Sequence, residues 1–213
     1  RMRKLRTGTD GVEENASTQA AYRFYAHGPL KRTELGGNLQ GMDMVYTVQG
    51  WLKGINSPDD DADPGRDGVA DTPNQNFQPD LFGLALDYFA NDYQRTGSGV
   101  RSNVTPTEGY TNRYNGLVRA QRWNNRALTD EAHRFAGQNL MYWYTYDGLG
   151  QLKSANLATL NNINLYPGHT VNQLSDYRVD NLDYDLNGNL LSLRRRGQLP
   201  QGLAMDELTY HYP

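Results

Sequence analysis

The sequence predicts an all-β chain assembled from repeated hairpins, and three observations carry that reading. Aromatic and apolar residues alternate with polar ones at a period of two in several short runs. Glycine-containing turn segments separate these runs. The composition suits a thin sheet more than a thick core: only 37% of the 213 residues are hydrophobic and the mean hydropathy is −0.80, yet there are 15 tyrosines and 22 glycines. Tyrosine lays a large apolar ring on a pleated surface and keeps a hydroxyl for water or a neighbouring carbonyl, so it can build a sheet that is wet on both sides.

Residues 1–20 are polar with little pattern and read as a leading strand or connection. Met42, Met44, Tyr46 and Val48 alternate with Asp43, Val45, Thr47 and Gln49 after the turn signal Gly36-Gly37-Asn38, which predicts a hairpin over 35–49. Residues 56–79 form an acidic, Pro/Gly-containing loop insertion. In the stretch 80–93, Phe82, Leu84, Leu86 and Tyr88 fit a strand, while Leu81, Leu84, Ala85, Tyr88 and Phe89 fit one face of a helix. Strand, Asn115-Gly116, strand is the arrangement expected over 111–123. One helical turn, capped by Asp130, fits 129–137.

The clearest hairpins follow. Tyr142, Tyr144 and Tyr146 share one face and Trp143 and Thr145 the other, before a turn holding Gly148 and Gly150. Leu182, Tyr184 and Leu186 alternate with Asp183 and Asp185. Asn187-Gly188 then predicts a two-residue type I′ turn, and Leu191 and Leu193 resume on the return strand. Residues 208–212 read as the outgoing strand of one more hairpin, so the expectation is a segment of something longer, with further repeats on which it depends for stability.

Tyr144-Thr-Tyr146-Asp147-Gly-Leu-Gly150-Gln-Leu152 and Asp183-Tyr184-Asp185-Leu-Asn-Gly188-Asn-Leu190 resemble the unit of the YD-repeat (RHS-repeat) family, roughly Tyr-x-Tyr-Asp-x-x-Gly-x-Leu. His27-Gly28-Pro29-Leu30 and Gln49-Gly50-Trp51-Leu52-Lys53-Gly54 are similar to segments of the form common in secreted members from Bacteroidota, and the resemblance covers the chain from about Tyr22 onward. It implies a fold in which YD-repeat hairpins form part of a large spiralling β-sheet shell, and a strand at 80–93. The repeat positions it implies are Tyr46, Trp51, Tyr114, Tyr144, Tyr146, Asp147, Gly150, Tyr184, Asp185, Gly188, Tyr210 and Tyr212.

Several chemistries are argued against. Zero cysteines exclude disulfides, thiolate metal sites and cysteine nucleophiles. A net charge of −3 gives no electrostatic footprint for nucleic acid, and no run approaches the ~20 apolar residues of a membrane helix. His27, His133, His169 and His211 are scattered without ligand or triad spacing, and Gly97-Ser98-Gly99 lacks the context of a nucleophile elbow. The recurrence of Asp147 and Asp185 after tyrosine points to turn geometry rather than general acid chemistry. Arg194-Arg195-Arg196 reads as a solvated sheet edge. The one candidate metal site is calcium at Asp61, Asp63 and Asp67, whose hard carboxylates alternate within the acidic loop.

No enzyme is expected, and no cofactor beyond that candidate calcium. The family's self-cleaving Asp-Pro-x-Gly-Leu motif has no match here. Resemblance to the family implies a structural shell segment that encapsulates a C-terminal cargo, often a toxin, of the same parent polypeptide during export. Its partners would be flanking repeats, that cargo and secretion machinery, and its location secreted or at the cell surface. The alternative is an adhesion wall that binds carbohydrate through exposed aromatic rings.

Overall fold

The computed structural model describes residues 2–7, 17–58, 63–90, 92–93, 111–127, 134–161, 170–198 and 204–212. Among them are thirteen strands and no helix. The strands are β1 (Met2–Thr7), β2 (Ser17–Phe24), β3 (Leu30–Leu35), β4 (Gln40–Tyr46), β5 (Leu52–Ile55), β6 (Phe82–Asp87), β7 (Ala120–Asn125), β8 (Asn139–Tyr146), β9 (Leu152–Asn161), β10 (Thr170–Gln173), β11 (Val179–Tyr184), β12 (Leu190–Arg196) and β13 (Ala204–Thr209). The all-β expectation holds. The stretch 80–93 contains a strand, β6, and the candidate cap Asp130 lies outside the described residues.

The chain divides into two compact units, Arg1–Ala85 with Trp123–Gly137, and Leu86–Arg122 with Gln138–Pro213, so the boundary falls inside β6 and inside β7. In the first unit β1 to β6 neighbour one another in chain order and pair antiparallel. In the second, β8, β9, β11, β12 and β13 follow in order, also antiparallel, with β7 beside β8. The ten residues of β9 serve two partners along one side, β10 opposite Ala158–Asn161 and β11 opposite Ala155. Consecutive strands neighbour one another along most of the order, and short turns join β2 to β3, β4 to β5, β8 to β9 and β11 to β12.

The two interiors differ in kind. The second unit has an apolar core of Ala120, Met141, Trp143, Ala158 and Leu160 with Val171 packed against it, and Leu140, Leu157 and Leu182 are also buried. In the first unit the buried set is mostly polar: Arg32, Thr33, Asp43, Lys53, Asn56, Asp67, Thr72 and Asp80 stand with Ala20, Ala21, Val45 and Phe77. The same polar bias shows on β4. Burial alternates along it, but Gly41, Asp43 and Val45 are the buried set and Met42, Met44 and Tyr46 are half-buried. The cause is Arg32 on β3, which is 2% exposed and draws Asp43 inward as its counter-ion.

Three expectations need correction. Tyr114 lies in no strand and is 69% exposed, because the chain at 111–118 runs beside β6 through single contacts such as Arg113 N–H to the Tyr88 carbonyl at 2.7 Å instead of forming an incoming strand. Tyr210 and Tyr212 lie beyond β13, which ends at Thr209. Arg194, Arg195 and Arg196 belong to β12, which is flanked by β11 and β13 and is no edge; their partners are Asp180 and Asp206.

Candidate functional site

The recurrent structure is the hairpin turn. At Asp185 the N–H donates to the Asn189 carbonyl at 2.9 Å and the Gly188 N–H returns to the Asp185 carbonyl at 3.0 Å. Only Gly188 of this loop has positive φ, 84°, so the connection is a three-residue loop, 186–188, closed by a left-handed glycine rather than the two-residue type I′ turn expected from Asn187-Gly188. A register shift between Asp183 and Tyr184 marks the extra residue, and Tyr184 still faces Leu190. Asp147 to Gln151 repeats the pattern, with bonds of 2.9 and 3.2 Å, Gly150 at φ 86° and Tyr146 facing Leu152.

Two more copies exist that the sequence pattern shows less clearly. Thr47 to Trp51 has both bonds, at 2.8 and 2.9 Å, with Gly50 at φ 83° and Tyr46 facing Leu52. Tyr25 to Pro29 has them at 2.9 and 3.1 Å, with Gly28 at φ 118° and Phe24 facing Leu30. The His-Gly-Pro-Leu and Gln-Gly-Trp-Leu segments are therefore the same turn under different side chains. His27 sits exposed at its tip with its ring stacked on Tyr25 at 5.3 Å. The glycine is the one position whose backbone demands its residue type.

The acid after the tyrosine organises the turn. One oxygen of Asp147 accepts the N–H groups of Leu149 and Gln151 at 2.9 and 2.8 Å, and one of Asp185 accepts those of Asn187 and Asn189, both at 2.8 Å. Hydrogen bonds from Asn189, side chain first and then backbone, hold the Asp185 carboxyl below its usual range. At Thr47 the hydroxyl takes the carboxylate's place and accepts the Trp51 N–H at 3.2 Å. One oxygen of each aspartate thus takes two backbone donors, the arrangement of a structural Asx turn.

Three tyrosine hydroxyls reach back to the backbone just after an earlier turn glycine. The hydroxyl of Tyr184 donates to the Leu152 carbonyl at 2.9 Å, that of Tyr212 to the Leu190 carbonyl at 2.9 Å, and that of Tyr146 to the Val118 carbonyl at 2.5 Å. Leu152, Leu190 and Val118 each stand two residues after a turn glycine, Gly150, Gly188 and Gly116. Burial raises the phenols of Tyr144, Tyr146 and Tyr184, so all three stay protonated. Tyr144 makes an inner contact instead, its ring stacked with that of Tyr142 at 6.4 Å. Tyr114, another expected repeat position, makes no such latch; its hydroxyl accepts from Asn112 and its ring packs on Phe89.

The acidic loop contributes a buried ion-pair knot. Arg32 donates to Asp43 and, through Nη2, to both oxygens of Asp67 at 2.8 and 3.0 Å, while its guanidinium lies 4.5 Å from the centre of the Phe77 ring. Asp63 caps the loop by accepting the N–H groups of Gly65 and Asp67 at 2.9 and 3.0 Å. Of the candidate calcium ligands, then, Asp67 faces an arginine, Asp63 faces backbone donors, and Asp61 lies outside the described residues. Among the described residues no group of three or more His, Cys, Asp or Glu is arranged to hold a metal ion. Asp80 is buried beside this knot, accepts from Gln40 at 3.0 Å and faces the carboxyls of Asp63 and Asp67. Burial first, then the charges of Asp63 and Asp67, push its carboxyl up to about 8.

His211 is exposed at the end of the described chain, and His133 and His169 lie outside the described residues. Among the described residues no helix is long and apolar enough to cross a membrane. No protein-family model matches the chain, and no curated protein matches it.

Proposed function

We propose that this chain is wall material: a segment of a YD-repeat shell that encloses a C-terminal cargo, often a toxin, of its parent polypeptide for export. The observation that carries the reading is the hairpin turn, present four times among the described residues, combined with three tyrosine hydroxyls that each bond a carbonyl two residues after an earlier turn glycine. Such a unit specifies its neighbour rather than a ligand. It can be repeated at will, as in other architectures in which each repeat leans on the next. The partners on this reading are flanking repeats, the enclosed cargo and secretion machinery, and the product is secreted or displayed at the cell surface. No catalytic role is assigned to any residue, since the recurrent acids are consumed in turn geometry.

The test is protection. With the parent polypeptide expressed whole and treated with a nonspecific protease, the C-terminal segment should stay intact and copurify with the wall. Disruption of the wall by the combined substitution of Tyr146, Tyr184 and Tyr212 with Phe should expose it. Digestion of the C-terminal segment in the intact polypeptide at the rate of the same segment free in solution would refute encapsulation.

A further inference from the structure

Asn-Gly occurs twice in the chain, at Asn115-Gly116 and Asn187-Gly188, and the structure holds the two pairs differently. The pair matters chemically because an asparagine amide can be attacked by the backbone nitrogen of the next residue, and a glycine there has no side chain to block the approach. The attacking nitrogen loses its proton and bonds to Cγ of the asparagine, ammonia leaves, and a succinimide results. Water then opens the ring at either carbonyl to give aspartate or isoaspartate, so water is the only reactant consumed.

Asn187 is protected by its turn. The Gly188 N–H is committed to the Asp185 carbonyl at 3.0 Å, and the Asp185 carboxylate also draws on it. The same carboxylate accepts the N–H groups of Asn187 and Asn189, both at 2.8 Å, so the loop must open before the glycine nitrogen can react. A negative charge also stands close to where the amide anion would form, which disfavours that anion.

Asn115 lacks each of these restraints. Gly116 has φ of 86°, and its N–H has no hydrogen-bond partner among the described residues. Two residues before the asparagine, where the other pair has Asp185, stands Arg113. Asn115 is exposed, so water reaches a succinimide formed there. Its Oδ1 accepts the Leu117 N–H at 3.3 Å, an Asx turn that folds the side chain back along the Gly116 peptide and polarises the amide carbonyl.

The position also bears on the rest of the unit. Val118 carries the carbonyl that accepts the Tyr146 hydroxyl, and Leu117 lies against Gly150, where an added Cβ would be 3.2 Å from its Cδ1. Isoaspartate routes the main chain through the former side chain and lengthens it by one methylene, just before these contacts. We infer that Asn115 is a site of spontaneous deamidation, and that isoaspartate formed there weakens the Tyr146 latch. The inference is independent of the shell reading, since it needs only the turn and the hydroxyl contact.

Ageing the full chain in mildly alkaline buffer tests both parts. Samples withdrawn over time and digested at acid pH give peptides containing Asn115 and Asn187; mass spectrometry measures their deamidation, and an isoaspartyl methyltransferase labels the isoaspartate. Asn115 should react about fivefold faster or more, the factor expected from the one hydrogen bond at the Gly188 nitrogen, and the two rates should converge in urea. The urea midpoint of the parent should fall as isoaspartate accumulates, while Asn115→Gln keeps its midpoint over the same period. Tyr146→Phe, which has no latch to lose, should fall by no more than about half as much as the parent. Equal rates at the two sites in the folded chain, a faster Asn187, or a difference that survives in urea would overturn the assignment of the site. A midpoint that falls as far in Tyr146→Phe as in the parent, or that stays constant in the parent although isoaspartate has formed, would overturn the coupling to the latch.

Discussion

The tyrosine latches allow a quantitative prediction. Replacing Tyr146, Tyr184 and Tyr212 by Phe keeps each ring and its packing and deletes three hydroxyl-to-carbonyl bonds of 2.5, 2.9 and 2.9 Å. A neutral hydrogen bond contributes about 0.5–1.5 kcal/mol net, with the larger values where the abandoned acceptor stays away from water. Tyr146 and Tyr184 are half-buried and should each cost about 1 kcal/mol or slightly more, and Tyr212, which is exposed, about 0.5 kcal/mol. The three bonds share no donor or acceptor, so their effects should add, giving about 2–3.5 kcal/mol for the triple variant. Urea unfolding of the single and triple variants, followed by circular dichroism, measures this directly. The m-value should be unchanged, because little surface is altered. A triple variant within about 0.5 kcal/mol of the parent would show that water replaces the hydroxyls at no cost, and that the latch is a consequence of packing rather than a cause of register.

Two further predictions concern the first unit. A Cβ at Gly83 would lie well inside van der Waals contact of the Ser57 carbonyl and the Pro58 nitrogen, both backbone, so Gly83→Ala should cost about 3 kcal/mol or prevent folding; a melting temperature within a degree or two of the parent would contradict that close approach. Asp80 holds its proton up to about pH 8 when folded, against an ordinary value of 3.8, so between those limits the folded state carries a proton that the unfolded chain has lost. Its contribution is complete below about pH 4 and is lost as pH rises through about 8, a slope of about 1.4 kcal/mol per pH unit for one proton. Asp80→Asn should flatten that slope in denaturation curves taken from pH 5 to 8, and an identical slope in the variant would remove Asp80 as its source.

How much of this was legible in the sequence depended on the separation of the interacting residues. The turns were readable because an acid, a glycine three residues on and a leucine two further make all their bonds within a loop, as at Asp147 and Asp185. Their type was misjudged because Asn187-Gly188 is also the signal of a shorter loop. Only the bond from Gly188 back to Asp185 tells the two apart. Copies at Thr47 and Tyr25 were obscured because the backbone keeps the turn while the side chain that caps it changes to a hydroxyl, or is dispensed with.

Contacts across strands left no local trace. Arg32 meets Asp43 eleven residues on and Asp67 thirty-five residues on, and each alone looks like a solvated charge. The arginines of β12 likewise resembled an edge until β13 and Asp180 were in place. A period of two shows that a strand has two faces, and hydrophobicity usually decides which one turns inward. On β4 it does not: Met42 and Met44 are the greasier set, yet the face of Asp43 is buried because desolvating Arg32 without a counter-ion would cost several kcal/mol. Once one buried cation is accepted in β3, its neighbours must supply carboxylates at the same depth, and the acidic loop supplies the second through Asp67. Asp67 of the acidic loop thus balances a charge in the interior of the first unit together with Asp43, and the half-buried methionines of β4 follow from it.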